Sequence, residues 1–182
     1  MARACDHLSV GVVIGNQAGE ILLIERARLP WGWACVSGHV DEDVNEAGQP
    51  LWSVAARREV QEEVGLELGE MREVGHGVKA NSCRREDGQW HEWAVFEATS
   101  TGEVSIEQSE VKRWMWANEE QIHSLALRTR EWEKGLIGEQ DWREKPGLEP
   151  VWQQWFEEMG IGGAAVSLNA LVGGTGTSIL EP

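Results

Sequence analysis

One amphipathic helix is predicted by the stretch LWSVAARREVQEEVGL at residues 51–66. Its apolar side chains recur at mostly helical spacing, and Gly65 is a typical residue at a helix C-terminus. The apolar positions are Leu51, Val54, Ala55, Val60 and Val64. On this helix, Glu59, Glu62 and Glu63 stand at positions i, i+3 and i+4, so three carboxylates are predicted to share one face.

Two interpretations of the carboxylate face follow from spacing alone. Like charges at this spacing destabilise an isolated helix by about a few tenths of a kcal/mol per pair, and a bound cation would reverse that effect. Mg²⁺ prefers hard oxygen ligands, taken from one or two carboxylates together with substrate phosphates. The other interpretation is a solvated helix face, on which Arg58 pairs with Glu62 at i+4.

The same stretch resembles the Nudix box, G-x5-E-x7-R-E-U-x-E-E-x-G-U, in which U is an aliphatic residue. Seven specified positions of its second half are matched, by Arg58, Glu59, Val60, Glu62, Glu63, Gly65 and Leu66. The resemblance covers about residues 7–126 and implies an α/β fold, namely an α/β/α sandwich with a mixed β-sheet. It also implies a hydrolase that uses Mg²⁺ or Mn²⁺ to cleave the diphosphate linkage of a nucleoside diphosphate joined to another group.

The first half of the box departs from the signature. Twenty positions separate Gly38 from Arg58 where the family has fourteen, so six residues are inserted. The first glutamate of the signature falls on Val44 when counted from Gly38, and on Pro50 when counted back from Arg58. Neither residue is acidic, so Glu46 inside the insertion, or one of the acids Asp41, Glu42 and Asp43 before it, is expected to take that place.

The resemblance also implies roles for individual residues. Metal ligation is expected among Gly38, Glu46, Glu59, Glu62, Glu63 and Glu107. Catalytic roles are expected for Glu59, Glu62, Glu63 and Glu110, and for Arg58, which would hold a glutamate of the box in place. Glu107 and Glu110 are included because they precede the strand predicted at residues 111–117, where the family often adds a carboxylate as base or ligand.

Three further residues are candidates for substrate binding. Arg26 and Arg28 are candidate phosphate contacts, although arginines in such positions are more often surface charges. Trp31 lies in a loop just before the acidic segment and is a candidate to stack on a base or sugar. The alternative interpretation is that Trp31 packs in the core.

The charge balance limits the kinds of partner. The 182 residues carry 31 acidic and 16 basic side chains, which gives a formal net charge of −15. This charge repels phosphate backbones and anionic membranes, so neither a nucleic acid polymer nor a membrane is expected as a partner. A small phosphorylated, nucleotide-like substrate is compatible with it where a cation mediates, and a homodimer stays open.

The cysteines predict a reducing, cytoplasmic environment. Cys5, Cys35 and Cys83 show no CxxC spacing, and the five histidines add no metal-binding spacing, so free thiols without a zinc site are expected. The apolar run at residues 10–14 is too short for a signal peptide. No stretch approaches the ~20 apolar residues of a membrane span.

Turn signals and apolar patterns place the remaining elements. Residues 8–15 and 21–25 are predicted to pair as a hairpin, and a short strand is expected to end near Gly38. Further strands are predicted over residues 71–78, 90–99 and 111–117. Helices are predicted from an Asn118 cap to Ala126 and over residues 149–159.

The domain prediction is a Nudix domain over 1–160, with a core at about 7–126 and a C-terminal helical extension over 127–160. A Gly-rich tail is predicted over 161–182, with a possible added strand at 166–172.

Two other functions are compatible with these patterns. A non-catalytic Nudix-like domain that binds or senses a nucleotide is favoured by the altered first half of the box, and it would show binding without turnover. An enzyme of the isopentenyl diphosphate isomerase type would share the fold and use a catalytic cysteine, for which Cys35 is the candidate beside Gly38. The intact second half of the box argues against the isomerase.

Overall fold

The computed structural model describes residues 3–162, which form seven strands and four helices. The strands are β1 (Leu8–Ile14), β2 (Ile21–Arg26), β3 (Trp33–Ala34), β4 (Val36–His39), β5 (Glu67–Ala80), β6 (Trp90–Thr101) and β7 (Val111–Ala117). The helices are α1 (Trp52–Val64), α2 (Glu119–Glu133), α3 (Glu139–Glu144) and α4 (Pro150–Met159).

The strands are arranged in two sheets. The first has the order β4-β1-β6-β5 and is mixed, because β1 runs antiparallel to β4 and parallel to β6. The second has the order β3-β2-β7 and is antiparallel. The predicted α/β class with a mixed sheet is therefore confirmed.

The central strands bury both of their faces. Val10 and Val12 of β1 belong to one hydrophobic cluster together with Val60 of α1, whereas Val13 belongs to a second cluster together with Trp152 of α4. Because successive side chains of a strand point to opposite faces, α1 and α4 cover opposite sides of the sheet. Burial on both faces also explains why these strands are continuous apolar runs rather than alternating ones.

The predicted hairpin between the first two apolar runs is wrong. Strands β1 and β2 lie in different sheets, and within the described part of the chain Gly15 and Ile21 form the one bridge between their ends. The turn between them does form, since Asn16 Oδ1 accepts hydrogen bonds from the backbone N–H groups of Ala18 and Glu20 at 2.9 and 3.0 Å. Both edges of β1 are instead paired with the more distant strands β4 and β6.

Most other elements confirm the sequence predictions. The helix of the box ends at Val64, and Gly65 follows in the left-handed conformation with φ 69°. Helix α2 begins with the predicted Asn118 cap, which forms a capping box with Gln121, but it continues to Glu133. Strands β5 and β6 are longer than predicted, and the short helix α3 was not predicted. Beyond Gly162, the predicted Gly-rich tail and its added strand lie outside the described residues.

Helix α4 contributes to the core although it follows the segment that resembles the family. Trp152 is fully buried, meets Trp93 of β6 edge to face at a centroid distance of 6.1 Å, and donates from Nε1 to Ser37 Oγ at 3.4 Å. The predicted C-terminal extension thus packs directly behind β4. Among residues 3–162, no helix is both long enough and apolar enough to cross a membrane.

Candidate active site

Two of the three carboxylates of the box lie in the interface between α1 and β4. Glu59 and Glu63 are only 9% and 7% exposed, since their helix face is turned towards the sheet. Gly38 of β4 lies directly opposite Glu59, and a Cβ built on this glycine would stand 2.1 Å from the Glu59 Cδ. No residue with a side chain fits at position 38 unless this carboxylate moves, so the glycine of the box leaves space for the glutamate.

The Glu63 carboxylate has fewer partners than its burial demands. Its Oε2 atom is buried and has no hydrogen-bond partner among residues 3–162, while the backbone N–H of Ser37 donates to the carboxylate. Burial raises the pKa of Glu63 to about 8, the Arg26 guanidinium opposes this rise, and the carboxylates of Glu59 and Glu110 add to it. A positive charge at this carboxylate would offset the cost of burial.

Arg58 connects the second half of the box to the acidic residues that follow β4. Its Nη1 donates to Glu59 Oε1 at 2.6 Å and to Glu62 Oε2 at 3.1 Å, and its Nε donates to Asp43 Oδ2 at 2.8 Å. Its Nη2 donates to the backbone carbonyl of His39 at 2.8 Å. One guanidinium therefore fixes two carboxylates of the helix relative to the end of β4.

The remaining acids of the box region differ in their surroundings. Glu62 projects from the helix, and 59% of its side chain is exposed. Glu46 is exposed in a turn closed by the bridge between Val44 and Pro50. The acid from this region that contacts Arg58 is Asp43, which sequence reasoning included only within a run of acids.

The segment before β7 contributes the later carboxylates. The backbone N–H of Glu107 donates to the Glu63 carbonyl at 3.0 Å, which holds this segment against the end of α1. The Glu107 side chain is exposed, and hydrogen bonds from Ser109 lower its pKa. Glu110 is half-buried and accepts from Arg28 Nη1 at 2.7 Å. Its charge reaches Glu63, so the structure brings Glu110 and the box together.

The predicted substrate contacts have different environments. Arg26 is mostly buried, with Nη1 3.8 Å from Oε2 of the buried Glu149. Burial disfavours its charge, but Glu149 and then Glu63 outweigh this effect and raise the pKa of Arg26. Trp31 is half-buried, and the Arg143 guanidinium lies 4.0 Å from the centroid of its ring. Arg28 is more exposed than Arg26 and is paired only with Glu110 among residues 3–162.

Sequence reasoning missed Ser37 and Glu149 as members of this site. Ser37 acts through its backbone N–H, which carries no sequence signal. Glu149 lies more than a hundred residues from Arg26 and enters only because α4 packs behind β4. A weak signal for Glu149 existed, since it stands directly before Pro150, where an acid is favoured at a helix N-terminus.

The donor set fits a divalent cation of the Mg²⁺ or Mn²⁺ type. It consists of carboxylate oxygens, of which one is buried and without a hydrogen-bond partner among the described residues. Burial also raises the pKa of Glu59, an effect that Arg58 partly offsets. Hard oxygen ligands with excess negative charge are what these ions prefer.

We expect the stability of the protein without added Mg²⁺ or Mn²⁺ to fall with rising pH because of Glu63. Its folded-state pKa of about 8 lies above the unfolded value near 4.3, so the folded protein keeps a proton that the unfolded chain releases. This contribution is complete below about pH 4.3 and is lost by about pH 8, with a total of about 3–5 kcal/mol. The measurement is denaturant unfolding of wild type and Glu63→Gln between pH 5 and 9. The contribution of Glu63 is the pH-dependent difference between their free energies of unfolding. Parallel pH profiles of the two proteins would contradict the expectation.

Comparisons with known proteins give a family match and several similar structures. The family model described as NUDIX domain matches residues 6–138. The structure is similar to that of the MutT NUDIX hydrolase from Burkholderia pseudomallei, with 25% sequence identity, a TM-score of 0.52, and coverage of 62% of this chain and 83% of that chain. No curated protein matches the sequence of this chain.

Two further structures support the fold. The dihydroneopterin triphosphate pyrophosphohydrolase of E. coli has 21% identity and a TM-score of 0.55, with coverage of 72% of this chain and 91% of that one. The MutT protein of Methanosarcina mazei Go1 has 20% identity and a TM-score of 0.55, with coverage of 84% and 91%.

Proposed function

The chain belongs to the Nudix family of hydrolases, and from this premise we propose that it uses Mg²⁺ or Mn²⁺ to cleave the diphosphate linkage of a small, nucleotide-like substrate. The substrate class is a nucleoside diphosphate linked to another group. The observation that carries the proposal is the buried Glu63 Oε2 atom, which has no hydrogen-bond partner among residues 3–162 and lies near the Glu59 carboxylate that Gly38 accommodates. Without a cation at this position, the Glu63 carboxyl either keeps its proton up to about pH 8 or buries its charge with Arg26 as the opposing positive charge.

Each residue of the site has a proposed task. Glu59, Glu62 and Glu63 would hold the cation, which neutralises the diphosphate and makes a bound water more acidic. Arg58 keeps Glu59 and Glu62 in position by its two hydrogen bonds from Nη1. Arg28 is exposed enough to exchange its partner Glu110 for a substrate phosphate. Glu110, once released from Arg28 and from its weaker contact with Arg84 Nη2 at 3.5 Å, would accept a proton near Glu63.

The isomerase alternative is not supported, because its candidate nucleophile, Cys35, is buried. Cys35 is completely buried between β3 and β4, and burial raises the pKa of its thiol well above the usual range. A buried, protonated thiol cannot attack a substrate. The buried thiol therefore supports the carboxylates of α1 as the reactive groups of the proposal.

A substrate screen tests the proposal. Nucleotide sugars, ADP-ribose, dinucleoside polyphosphates, (d)NTPs and dihydroneopterin triphosphate are incubated with the full chain and Mg²⁺ or Mn²⁺, and released phosphate is measured with and without an added phosphatase. We expect cation-dependent hydrolysis of at least one class. Tight binding across the panel without turnover would instead support the nucleotide-sensing alternative and contradict hydrolysis.

The hydrogen bond between Arg58 and Asp43 yields a separate prediction. We expect Asp43→Asn to lower kcat/KM roughly tenfold, because Arg58 loses a charge-assisted hydrogen bond that holds it against the box. Glu42→Gln is the matched control, since Glu42 is an exposed neighbour. Glu46→Gln is measured in parallel for activity and for Mn²⁺ affinity. A loss of Mn²⁺ affinity in Glu46→Gln, with Asp43→Asn unchanged, would assign the missing glutamate of the box to Glu46.

A further inference from the structure

A second cluster of metal-binding side chains lies outside the box. It consists of Cys5, His39, Cys83 and His91, whose ligand atoms all lie within 4.8 Å of one another. The four residues come from the N-terminal segment, the end of β4, the β5–β6 loop and strand β6. The expectation of free thiols without a zinc site rested on sequence spacing. Spacing does not detect ligands that the fold brings together from such distant positions.

Two of the three distances measured from Cys5 Sγ are those of a tetrahedral zinc site. With Zn–S near 2.3 Å and Zn–N near 2.05 Å, neighbouring ligands of a tetrahedron stand about 3.8 Å apart for two sulfurs and about 3.6 Å for sulfur and nitrogen. The Cys5 and Cys83 sulfurs are 3.8 Å apart, and Cys5 Sγ lies 3.5 Å from His39 Nε2. The third distance, from Cys5 Sγ to His91 Nε2, is 3.1 Å and is shorter than the tetrahedral value.

The groups around the cluster support ligation. His91 Nδ1 lies 3.0 Å from Asn81 Oδ1, so its N–H is held there and Nε2 is left free towards the cysteines. The backbone N–H of His7 donates to Cys5 Sγ at 3.3 Å, and that of Arg85 donates to Cys83 Sγ at 3.4 Å. Such bonds stabilise thiolates.

Two more observations show a site shaped around these atoms. A Cβ built on Gly88 would stand 2.1 Å from Cys83 Sγ, so a glycine is needed for the loop to pass the sulfur. Asp6 Oδ1 makes no hydrogen bond in the described part of the chain, and it lies 3.7 Å from Arg85 Nη1 and 3.9 Å from His39 Nε2. Its negative charge is shared between the Arg85 guanidinium and the cluster.

We propose that Cys5, His39, Cys83 and His91 bind one zinc ion in a structural site. Tetrahedral sites with two sulfurs and two nitrogens select zinc among the common divalent ions. Four protein ligands leave no open position for substrate, so the site stabilises the fold rather than performing hydrolysis. This soft site is chemically distinct from the oxygen site of the box.

The ion would cross-link four parts of the chain that already meet through hydrogen bonds, among them those from the Asp41 N–H to Asp6 and from Arg85 to Asp41. The N-terminal segment touches the β5–β6 loop through the bridge between Ala4 and Glu86 and through the Cys5 N–H bond to the Glu86 carbonyl at 3.0 Å. His39 links this junction to the hydrolytic site, since its carbonyl accepts from Arg58 and it follows Gly38 directly. Zinc would thus hold the end of β4 in place.

Metal analysis of the full chain, purified without chelators and under reducing conditions, tests the site. We expect about one zinc ion per chain in wild type and less than about 0.1 in Cys83→Ser and in His91→Asn. Cys35→Ala is the matched control, because it removes a cysteine outside the cluster, and it should retain the zinc. The ligand variants should also melt at least about 5 °C lower than wild type.

A measurement on wild type alone covers the case in which the variants do not fold. After zinc is removed, Co²⁺ should bind and give the strong visible bands of a tetrahedral ion together with a thiolate charge-transfer band. A wild-type protein that contains no zinc and gives no such spectrum would overturn the proposal. So would a disulfide between Cys5 and Cys83 in the reduced preparation, or full zinc content in Cys83→Ser.

Discussion

Glu62→Gln and Glu63→Gln are each expected to lower kcat by at least about a hundredfold while the protein remains folded, because each removes a carboxylate that we propose as a ligand for the cation. The two positions differ in burial, since 59% of the Glu62 side chain is exposed whereas Glu63 is almost fully covered. Glutamine keeps the shape of both side chains. A shared loss of activity would therefore come from the lost charge and not from altered packing.

The measurement is steady-state kinetics with the substrate found by the screen, combined with circular dichroism and thermal melting of each variant. Glu67→Gln is the matched control, because Glu67 is an exposed acid just after the box. It should keep at least about half of the wild-type kcat, as expected of a surface substitution away from the site. Wild-type kcat in both Glu62→Gln and Glu63→Gln would contradict the assignment of these residues.

The parts of the fold that sequence predicts well are those decided by neighbours in the chain. The end of α1 follows from the helical repeat up to Val64 and from the left-handed conformation that Gly65 adopts easily. The start of α2 follows from the reciprocal hydrogen bonds of Asn118 and Gln121. Both signals act within a few residues, so tertiary packing did not override them.

Strand pairing is decided by distant segments, and there the sequence misleads. The turn after Asn16 is a genuine local signal, and the residues on either side form apolar runs of the right length. A run that is apolar on both faces nevertheless needs cover on both faces, which a simple hairpin does not provide. β1 therefore pairs between β4 and β6, and β2 pairs between β3 and β7.

The candidate active site shows the same contrast between local sequence signals and tertiary contacts. Spacing places Glu59, Glu62 and Glu63 on neighbouring positions of one helix, but it does not show which of them face β4. The structure turns Glu59 and Glu63 inward and leaves Glu62 at the surface. Asp43, Ser37 and Glu149 reach the candidate active site only through tertiary contacts. The four residues of the separate, proposed zinc site are also brought together only by the fold. Local patterns thus predict the chemistry of the box, whereas its partners depend on the complete fold.

Mn²⁺, or Mg²⁺ together with a non-hydrolysable diphosphate, is expected to raise the melting temperature of wild type by roughly 5–10 °C. A ligand that binds only the folded state stabilises it by about 2.7 kcal/mol at 100 times its Kd, and about 1 kcal/mol raises the Tm of a domain of this size by ~2–4 °C. Burial raises the pKa values of Glu59 and Glu63, and a cation would offset that cost. Mg²⁺ alone should give a smaller shift, because it dehydrates reluctantly and substrate phosphates complete its coordination.

The control is the triple variant Glu59→Gln, Glu62→Gln and Glu63→Gln, whose melting temperature should not respond to either cation. Cys35→Ala, which leaves every carboxylate in place, should respond as wild type does. The experiment is run on zinc-replete protein, so that the proposed zinc site contributes equally to every sample. Because the cation and the diphosphate are varied independently, the shift separates cation binding by the box from binding that depends on substrate phosphates. If wild type shows no shift with or without the diphosphate, Glu59, Glu62 and Glu63 do not bind a cation, and the proposed mechanism of hydrolysis fails with them.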